Sequence, residues 1–436
     1  MARKMKDSGI EWIGEIPEGW SVSKVLHCLS MPITDGPHTT PILYDTGIPF
    51  VSAEAVSCGN GRIDFSHIRG YISEQFYKEC CQKYVPEIDD IYMIKSGATT
   101  GRVAIVDTTR VFTIWSPLAV FRCNKDCMLP KFLYYYLQSP AFQKEVEFGW
   151  TFGTQQNVGM RSLEQMKVCV PQLNKQDTIA NYLDYRCSQI DLLLQKALTS
   201  IEEYKKLKQA VITQAVTKGV RGEREMKDSG VDWIGEIPVD WEISRIKYVS
   251  IFEPSCDFRK LTPETIITYS PMECIKNGTF ERRTSLYGNL AHTLTPFQNG
   301  DIVMAKVTPC FENGNIAIMN ELQSGYGLGS SELFVFRPQN INTRYLFYWL
   351  QNKLFVHQAC ATMTGTGGLK RISPSFVKNC NIHYPSTAEQ AEIADYLDAK
   401  CAEIDRLIVK KEQLVKELES YKKSLIYEVV TGKREV

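Results

Sequence analysis

The sequence lacks a long apolar run, an N-terminal hydrophobic signal and any excess of charge. None of its 436 residues falls in a stretch of the ~18 apolar residues that a membrane span requires, and no hydrophobic segment follows Met1. Fifty Lys and Arg balance fifty Asp and Glu, so there is no bulk basic signal for nucleic acid. These absences predict a cytoplasmic protein without membrane contact. The length predicts two or three domains, and the 44% hydrophobic content is typical of a globular protein.

Metal-binding and catalytic motifs are also missing. The fourteen cysteines show neither C-x-x-C nor paired Cys/His spacing, which favours reduced, buried thiols over a zinc site. The chain has no P-loop, no N-P-P-[FY] or F-x-G-x-G motif of an amino-methyltransferase, and no PD…(D/E)-x-K nuclease pattern. We therefore predict no metal site, no catalytic residue and no cofactor in this chain.

Two long stretches contain neither Pro nor Gly and are near-copies of each other. Residues 176–217 align without a gap on residues 390–431, at an offset of 214. Both favour helix, and their apolar residues recur with heptad spacing, interrupted by Lys208, Lys411 and Lys422. We predict that the two helices pair with each other; two amphipathic helices in separate cores are the alternative. The predicted interface residues are Leu183, Ile190, Leu194, Ile201, Tyr204, Leu397, Ile404, Ile408, Val415 and Leu418.

A second repeat indicates a tandem duplication. MKDSGIEWIGEIPEGW at 5–20 returns as MKDSGVDWIGEIPVDW at 226–241, with twelve of sixteen positions identical. We expect its apolar residues to pack onto the domain that follows, and the charged joint at 219–225 to bury nothing. The predicted segments are a first domain at 1–170, a helix at 171–220, a second domain at 221–384 and a helix at 385–436.

Both domains show the same order of elements with different loops. The predicted elements are hairpins at 90–94 with 103–106 and at 301–305 with 315–319, a strand at 63–65, helices at 129–144 and 343–350, and glycine-rich loops at 149–159 and 364–371. A helix of about 40 residues is roughly 60 Å long, which equals roughly 18 base pairs of B-form DNA at ~3.4 Å each. Two loop-bearing domains on such a rod fit a reader of a two-part site on double-stranded DNA.

Several phrases point to one family. WIGEIPEGW and WIGEIPVDW precede the two domains, the helices end in AVTKG at 215–219 and VVTGK at 429–433, and TDGPHTTP at 34–41 is followed by GIPF at 47–50. With these phrases, nearly the whole chain resembles the specificity subunit of a type I restriction–modification system. The second domain has no counterpart to the Asp-Gly-x-His phrase of the first, so its half-site does not follow from the first.

The resemblance implies an α+β fold with two mixed α/β target-recognition domains in tandem duplication, joined by two long helices packed as an antiparallel coiled coil. It implies a non-catalytic chain in which each domain reads one half of a split, asymmetric site and the helices set the gap. It further implies two modification (methyltransferase) subunits, which bring S-adenosylmethionine, and two restriction subunits, which bring ATP- and Mg-dependent translocation and cleavage.

We predict DNA contacts on the loops of both domains, because Gln and Asn pair bidentately with adenine, while Arg and Lys bind guanine or phosphate. In the first domain these residues are Thr34, Asp35, His38, Lys95, Ser96, Thr99, Thr100, Arg102, Gln155 and Gln156. In the second domain they are Lys306, Thr308, Asn313, Asn315, Thr366, Lys370 and Arg371.

The near-neutral charge is in tension with DNA binding, because phosphate attraction dominates most DNA affinity. Residues 5–170 carry 15 Lys and Arg against 18 Asp and Glu. We therefore expect weak DNA binding by the chain alone. The alternative function is a non-catalytic coiled-coil scaffold that binds proteins through its loop domains.

Overall fold

The computed structural model describes residues 3–151, 156–276, 278–291, 293–366 and 368–436. The chain forms two compact units, Met1–Ala197 with Gln413–Val436, and Leu198–Glu412. Each unit contains one loop-bearing domain and one part of each long helix. Strands and helices mix within both units, which confirms the predicted α+β fold.

The elements of the first unit follow the duplicated phrase and end in a long helix. Its strands are β1 Met5–Asp7, β2 Glu15–Pro17, β3 Ser21–Lys24, β4 Thr34–Asp35, β5 Ile48–Val51, β6 Tyr71–Ile72, β7 Ile91–Ile94, β8 Val103–Ile105, β9 Thr113–Ile114, β10 Leu118–Phe121, β11 Trp150–Thr151, β12 Asn157–Val158 and β13 Lys167–Val170. Its helices are α1 Ala53–Cys58, α2 Glu74–Cys81, α3 Pro130–Gln138, α4 Pro140–Phe148, α5 Met160–Gln165 and the start of α6 Leu173–Lys218.

A four-stranded sheet with the order β4-β10-β7-β8 forms the centre of the first domain. All four residues of β7 and all four of β10 are buried, as their uninterrupted apolar sequence requires. Beside it, β5 pairs with β6 and lies parallel to β9. The strand that follows the duplicated phrase, β3, pairs with the last strand of the domain, β13, so that Ser21 lies opposite Val170.

The structure confirms the predicted hairpin of β7 and β8, and the helix predicted at 129–144 is divided at Pro140 into α3 and α4. The strand predicted at 63–65 is wrong, because Phe65–His67 is a 3-10 helix. The carboxylate of Asp64 accepts a hydrogen bond of 2.9 Å from the backbone N–H of Ser66, and such a local bond caps a helical turn instead of extending a strand. The loop predicted at 149–159 contains the paired strands β11 and β12.

The second unit repeats this order. Its strands are β14 Met226–Asp228, β15 Glu236–Pro238, β16 Glu242–Arg245, β17 Ser250–Phe252, β18 Ile266–Ser270, β19 Ile275–Lys276, β20 Thr279–Phe280, β21 Arg283–Leu286, β22 Thr295–Gln298, β23 Ile302–Ala305, β24 Ile316–Ile318, β25 Tyr326–Gly329, β26 Leu333–Pro338 and β27 Asn381–Tyr384. Its helices are α7 Ile246–Val249, α8 Thr343–Trp349, α9 Lys353–Ala361, α10 Pro374–Asn379 and the start of α11 Thr387–Val430.

The central sheet of the second domain, β17-β26-β23-β24, matches that of the first. Its hairpin of β23 and β24 lies where the sequence predicts it. A second sheet, β21-β18-β25-β22, is larger than its three-stranded counterpart β6-β5-β9 in the first domain. The strand after the duplicated phrase, β16, again pairs with the last strand, β27, with Glu242 opposite Tyr384. The frame is therefore repeated, and the two domains differ in what is inserted into it.

The two long helices pack against each other in both units. Every predicted interface residue is buried or half-buried, and Leu183, Leu397 and Ile190 are among the most buried. In the second unit, Lys208 of α6 binds Asp405 at 2.7 Å, while Arg221, just beyond the end of α6, binds Glu392 at 2.8 Å. As the residue number increases along α6, the number of its partner on α11 decreases, so the two helices are antiparallel.

Two of the lysines that interrupt the heptads have partners across the helix pair. In the first unit Lys422 binds Asp191 at 2.6 Å, and in the second unit Lys208 binds Asp405. These two pairs occupy equivalent positions of the duplication, since both residues of one pair align with those of the other at an offset of 214. The lysine side chains are largely buried, with 20% of the surface of Lys422 and 18% of that of Lys208 exposed.

Equivalent polar side chains anchor each domain to its helix. Buried Gln176 accepts a hydrogen bond from the N–H of Leu129 at 2.7 Å, and buried Gln390 accepts one from the N–H of Asn342 at 2.8 Å. Just over two helical turns further along, Asp184 accepts a hydrogen bond from the hydroxyl of Tyr135, and Asp398 accepts one from the hydroxyl of Tyr348, both at 2.7 Å. The two buried glutamines and the two half-buried aspartates, paired in this way, fix where each domain meets its helix.

The joint at 219–225 is not the loose connection that the sequence predicts. The guanidinium of Arg224 binds the buried carboxylate of Glu389 at 2.5 Å. It also binds the exposed carboxylate of Asp240 at 2.7 Å. The indole N–H of Trp241 also donates to Glu389, at 3.4 Å. Because a buried carboxylate must be paired, Arg224 ties the joint to the start of α11.

His383 in β27 makes the second unit sensitive to acid. Its Nε2 lies 2.7 Å from the carbonyl oxygen of Val216, and burial lowers its pKa from 6.5 to about 4. In the unfolded chain this imidazole takes up a proton as the pH falls below about 6.5, whereas in the folded chain it does so only near pH 4. Between these two values the unfolded state binds more protons, so the stability of the fold decreases as the pH falls. We expect the wild type to lose about 3 kcal/mol of unfolding free energy relative to His383→Gln between pH 7 and pH 4.

Urea unfolding of the full chain at several pH values measures this difference. Replacement of exposed His27 by Gln is the matched control and should leave the pH dependence of the wild type intact. Parallel curves for the wild type and His383→Gln would contradict a neutral, buried imidazole.

Candidate nucleic-acid interface

In the first domain, two separate predicted loops meet. The connection between β7 and β8 pairs with the strand β12 through a bridge between Ser96 and Asn157. The N–H of Gly97 donates to the carbonyl of Gln156 at 3.0 Å, and the N–H of Val158 donates to that of Lys95 at 2.9 Å. This brings Lys95, Ser96 and exposed Gln156 onto two neighbouring, hydrogen-bonded segments, whereas Gln155 lies outside the described residues.

The phrase TDGPH begins at the edge strand β4 of the same sheet. Thr34 and Asp35 form β4, which pairs with β10. A Cβ atom on Gly36 would lie 2.0 Å from the carbonyl oxygen of Ile114, so only glycine fits where the chain crosses this backbone. The glycine of the phrase is thus required by a close approach, and His38, two residues further along, is exposed.

Asp35 is fully buried and is surrounded by two lysines and a histidine. Its carboxylate binds Lys83, and its Oδ2 lies 3.2 Å from Nζ of Lys95 and 3.1 Å from Nε2 of His38. Burial alone would raise the pKa of Asp35, but the hydrogen bond from Lys83 and the charge of Lys95 lower it below its ordinary value. With 0% of its surface exposed, Asp35 has no side-chain atom at the surface, so the structure gives no support to the predicted direct contact of its carboxylate with DNA.

The remaining predicted residues shape or flank the first loop. The hydroxyl of Thr100 donates to the carbonyl of Gly97 at 2.7 Å and so closes the turn within the loop. Arg102 is exposed and donates to the carbonyl of Ser57 at 3.0 Å, which fixes its guanidinium beside α1. Thr99 is half-buried next to them.

The second domain brings the equivalent loops together by different bonds. The N–H of Thr308 donates to the carbonyl of Lys370, and the N–H of Lys370 donates to the hydroxyl of Thr308, both at 2.9 Å. The N–H of Ile372 donates to the carbonyl of Lys306 at 2.9 Å. Lys306, Thr308, Lys370 and Arg371 therefore share one surface.

The structure does not bring every predicted residue of the second domain onto that surface. Asn315 lines a groove of about 970 Å³ whose other wall is α6, and this places it away from Lys370. Asn313 and Thr366 are exposed on their loops. The direct base contacts predicted for these residues stay predictions.

One carboxylate also lies among the cations of the second domain. Arg371 binds Glu332 through two bonds, of 2.9 Å from Nε and 2.8 Å from Nη2, and these lower the pKa of Glu332. The ammonium of Lys306 lies 5.6 Å from the ring centre of Phe334. Lys95 and Lys306 are equivalent in the two frames, since their N–H groups donate to residues just before β10 and β26.

Lys83 and Glu332 are absent from the predicted residues. Neither belongs to a motif, and each meets its partner across the fold: Lys83 and Asp35 are 48 positions apart, and Glu332 and Arg371 are 39 apart. Each domain contains similar numbers of acidic and basic residues, so one more Lys or Glu does not mark a binding residue in the sequence. The contacts become visible only once the sheet brings the segments together.

Within the described ranges, no group of three or more His, Cys, Asp or Glu residues could hold a metal ion. Within the same ranges, no helix has the length and apolar character to cross a membrane. The cysteines are free thiols, and burial raises the pKa of Cys187 and of its equivalent Cys401 to about 11.

Comparisons with known proteins match both halves of the chain. The sequence model of the family described as type I restriction modification DNA specificity domain matches residues 39–203 and 238–417. The EcoEI specificity subunit of a type I restriction enzyme from Escherichia coli is 32% identical over 163 residues, 36% of this chain. That match spans only 27% of the length of the Escherichia coli protein.

Longer matches are more distant. A putative MjaX type I restriction enzyme specificity subunit from Methanocaldococcus jannaschii is 28% identical over 97% of this chain and 95% of its own length. A solved chain from a study of complex assembly and conformational transition of the type I R-M system has the same fold, with a TM-score of 0.71 and 14% identity. It covers 96% of this chain and 99% of its own. The chain belongs to the family of type I restriction modification DNA specificity domains and carries two copies of that domain in tandem.

Proposed function

We propose that the chain is the DNA-recognition subunit of a type I restriction–modification complex. Each domain reads one half of a split, asymmetric site on double-stranded DNA, and the paired helices set the gap. The observation that carries the proposal is the repeated surface on which a hairpin connection and a second loop are joined by backbone hydrogen bonds. Its polar and basic side chains differ between the domains, as two different half-sites require.

The proposal assigns catalysis to partner subunits in the cytoplasm. Two modification subunits supply S-adenosylmethionine, and two restriction subunits supply ATP- and Mg-dependent translocation and cleavage. Support comes from the family match and from relatives that are named specificity subunits of restriction enzymes. The scaffold function gives a different expectation, namely loop domains that bind protein and leave DNA free.

Footprinting of the chain co-expressed with its modification subunit separates the two functions. We expect two protected regions on one duplex, separated by an unprotected or nonspecific gap. Retention of the modification subunit without any protected DNA would overturn the DNA-recognition function in favour of the scaffold.

Lys306 and Lys370 test whether the domains read independently. Replacing both with Ala removes two cations from the joined surface of the second domain, so we expect recognition of one half-site to weaken by about tenfold or more. Binding to duplexes in which one half-site at a time is scrambled measures this. Equal weakening at both half-sites would contradict two independent readers.

A further inference from the structure

A neutral chain needs local positive charge to hold DNA, and both domains supply it in the same way. In the first domain, the single carboxylate of Asp35 is shared by Lys83 and Lys95, with His38 beside them. In the second domain, Glu332 is bound by Arg371, and Lys306 adds its charge from the face of Phe334. Two permanent cations beside one carboxylate give each of these clusters one positive charge in excess.

The two clusters are not copies of each other. Lys95 and Lys306 are equivalent, but Asp35 comes from β4, whereas Glu332 directly precedes β26. The second cation is Lys83, just after α2, in the first domain, and Arg371, from the glycine-rich loop, in the second. The same charge arrangement is thus built twice from different residues, beside the loops predicted to contact DNA.

We propose that Asp35 and Glu332 are positioning residues that hold these cations toward the DNA backbone, and that Lys83 and Arg371 contact phosphates. The inference rests on the proposed DNA-recognition function and adds residues to it. Lys95 is only 13% exposed and anchors the first cluster, while Lys83 is 49% exposed and keeps donors available. Arg371 is 50% exposed in the same way.

The physical advantage lies in holding a long side chain before DNA arrives. A free lysine loses rotamer freedom when it binds phosphate, which weakens the complex. A carboxylate that already pairs with the cation imposes that order in the folded protein, so less rotamer freedom is lost on binding. The cost of one negative charge near DNA is offset by the second cation.

This account and bulk electrostatics make opposite predictions for Asp35→Asn. Removing a negative charge should tighten DNA binding if only net charge matters. If Asp35 positions Lys83 and Lys95, the affinity of the assembled modification complex for its own duplex should fall by about tenfold. The matched control is Asp107→Asn, which removes a carboxylate paired with Arg62 beyond the opposite end of β8 and should bind as tightly as wild type or slightly more tightly.

Two further variants keep the test decisive if Asp35→Asn fails to fold. Lys83→Ala should reduce the slope of log affinity against log salt concentration by about one, while the methylated sequence stays the same. Glu332→Gln should weaken binding through the half-site of the second domain only. Unchanged salt slope in Lys83→Ala, or tighter binding by Glu332→Gln, would overturn the inference. Absence of any split-site binding by the wild-type complex would instead overturn the proposed function.

Discussion

A complex whose residues 21–170 come from another family member is expected to methylate a hybrid site, with one new half and one original half. The structure gives the reason for these boundaries, because the block begins and ends on the paired strands β3 and β13. Both cuts therefore fall outside the sheet, and the strand pair is exchanged intact. The anchoring residues Gln176 and Asp184 remain on α6 in the hybrid.

Sequencing of methylated positions in cells that carry the hybrid measures the outcome. Exchange of 242–384, which begins and ends on the paired strands β16 and β27, is the matched control and should change the other half only. A hybrid that assembles and methylates the original site unchanged would contradict the assignment of one half-site to each domain.

Lengthening both long helices by four residues is expected to widen the gap between the half-sites by one or two bases. The insertions belong between Ala197 and Leu198 and between Glu412 and Gln413, where the two units divide. Each then leaves the ion pairs of Asp191 with Lys422 and of Lys208 with Asp405 inside their own units. Four residues add about 6 Å at ~1.5 Å each, which is close to two base-pair steps of ~3.4 Å.

An insertion of a different length, which rotates the apolar face of each helix, is the control for this experiment. Four residues make slightly more than one turn of 3.6 residues, so the apolar seam stays almost aligned. Two residues in each helix turn the seam to the opposite face, and we expect that variant to lose assembly. An active four-residue variant that keeps the original spacing would show that the helices tether the domains without measuring their separation.

The repeated frame could be predicted because its signals are local or periodic. Heptad spacing marks α6 and α11, and the apolar runs of β7 and β10 mark the central sheet of the first domain. The duplicated phrase at 5–20 and 226–241 then fixes how many domains to expect. Such patterns follow from side-chain periodicity and need no knowledge of distant contacts.

The charge clusters could not be predicted because they depend on contacts between distant segments. Asp35 reads as a polar loop residue in the phrase TDGPH, yet folding buries it against Lys83 and Lys95. From the sequence, Arg224 is expected in a solvated joint, but in the fold it neutralises the charge of the buried carboxylate of Glu389. Asn315 follows the second hairpin connection in sequence, but its position in the fold turns it toward α6.

The methylated sequence of a host that carries this chain and its modification subunit tests the central claim most directly. The account predicts two short, different sequences separated by a fixed number of unspecified bases, with one modified position in each half. A single continuous motif, or the same methylation pattern in cells without this chain, would contradict the reading of a split site by two domains.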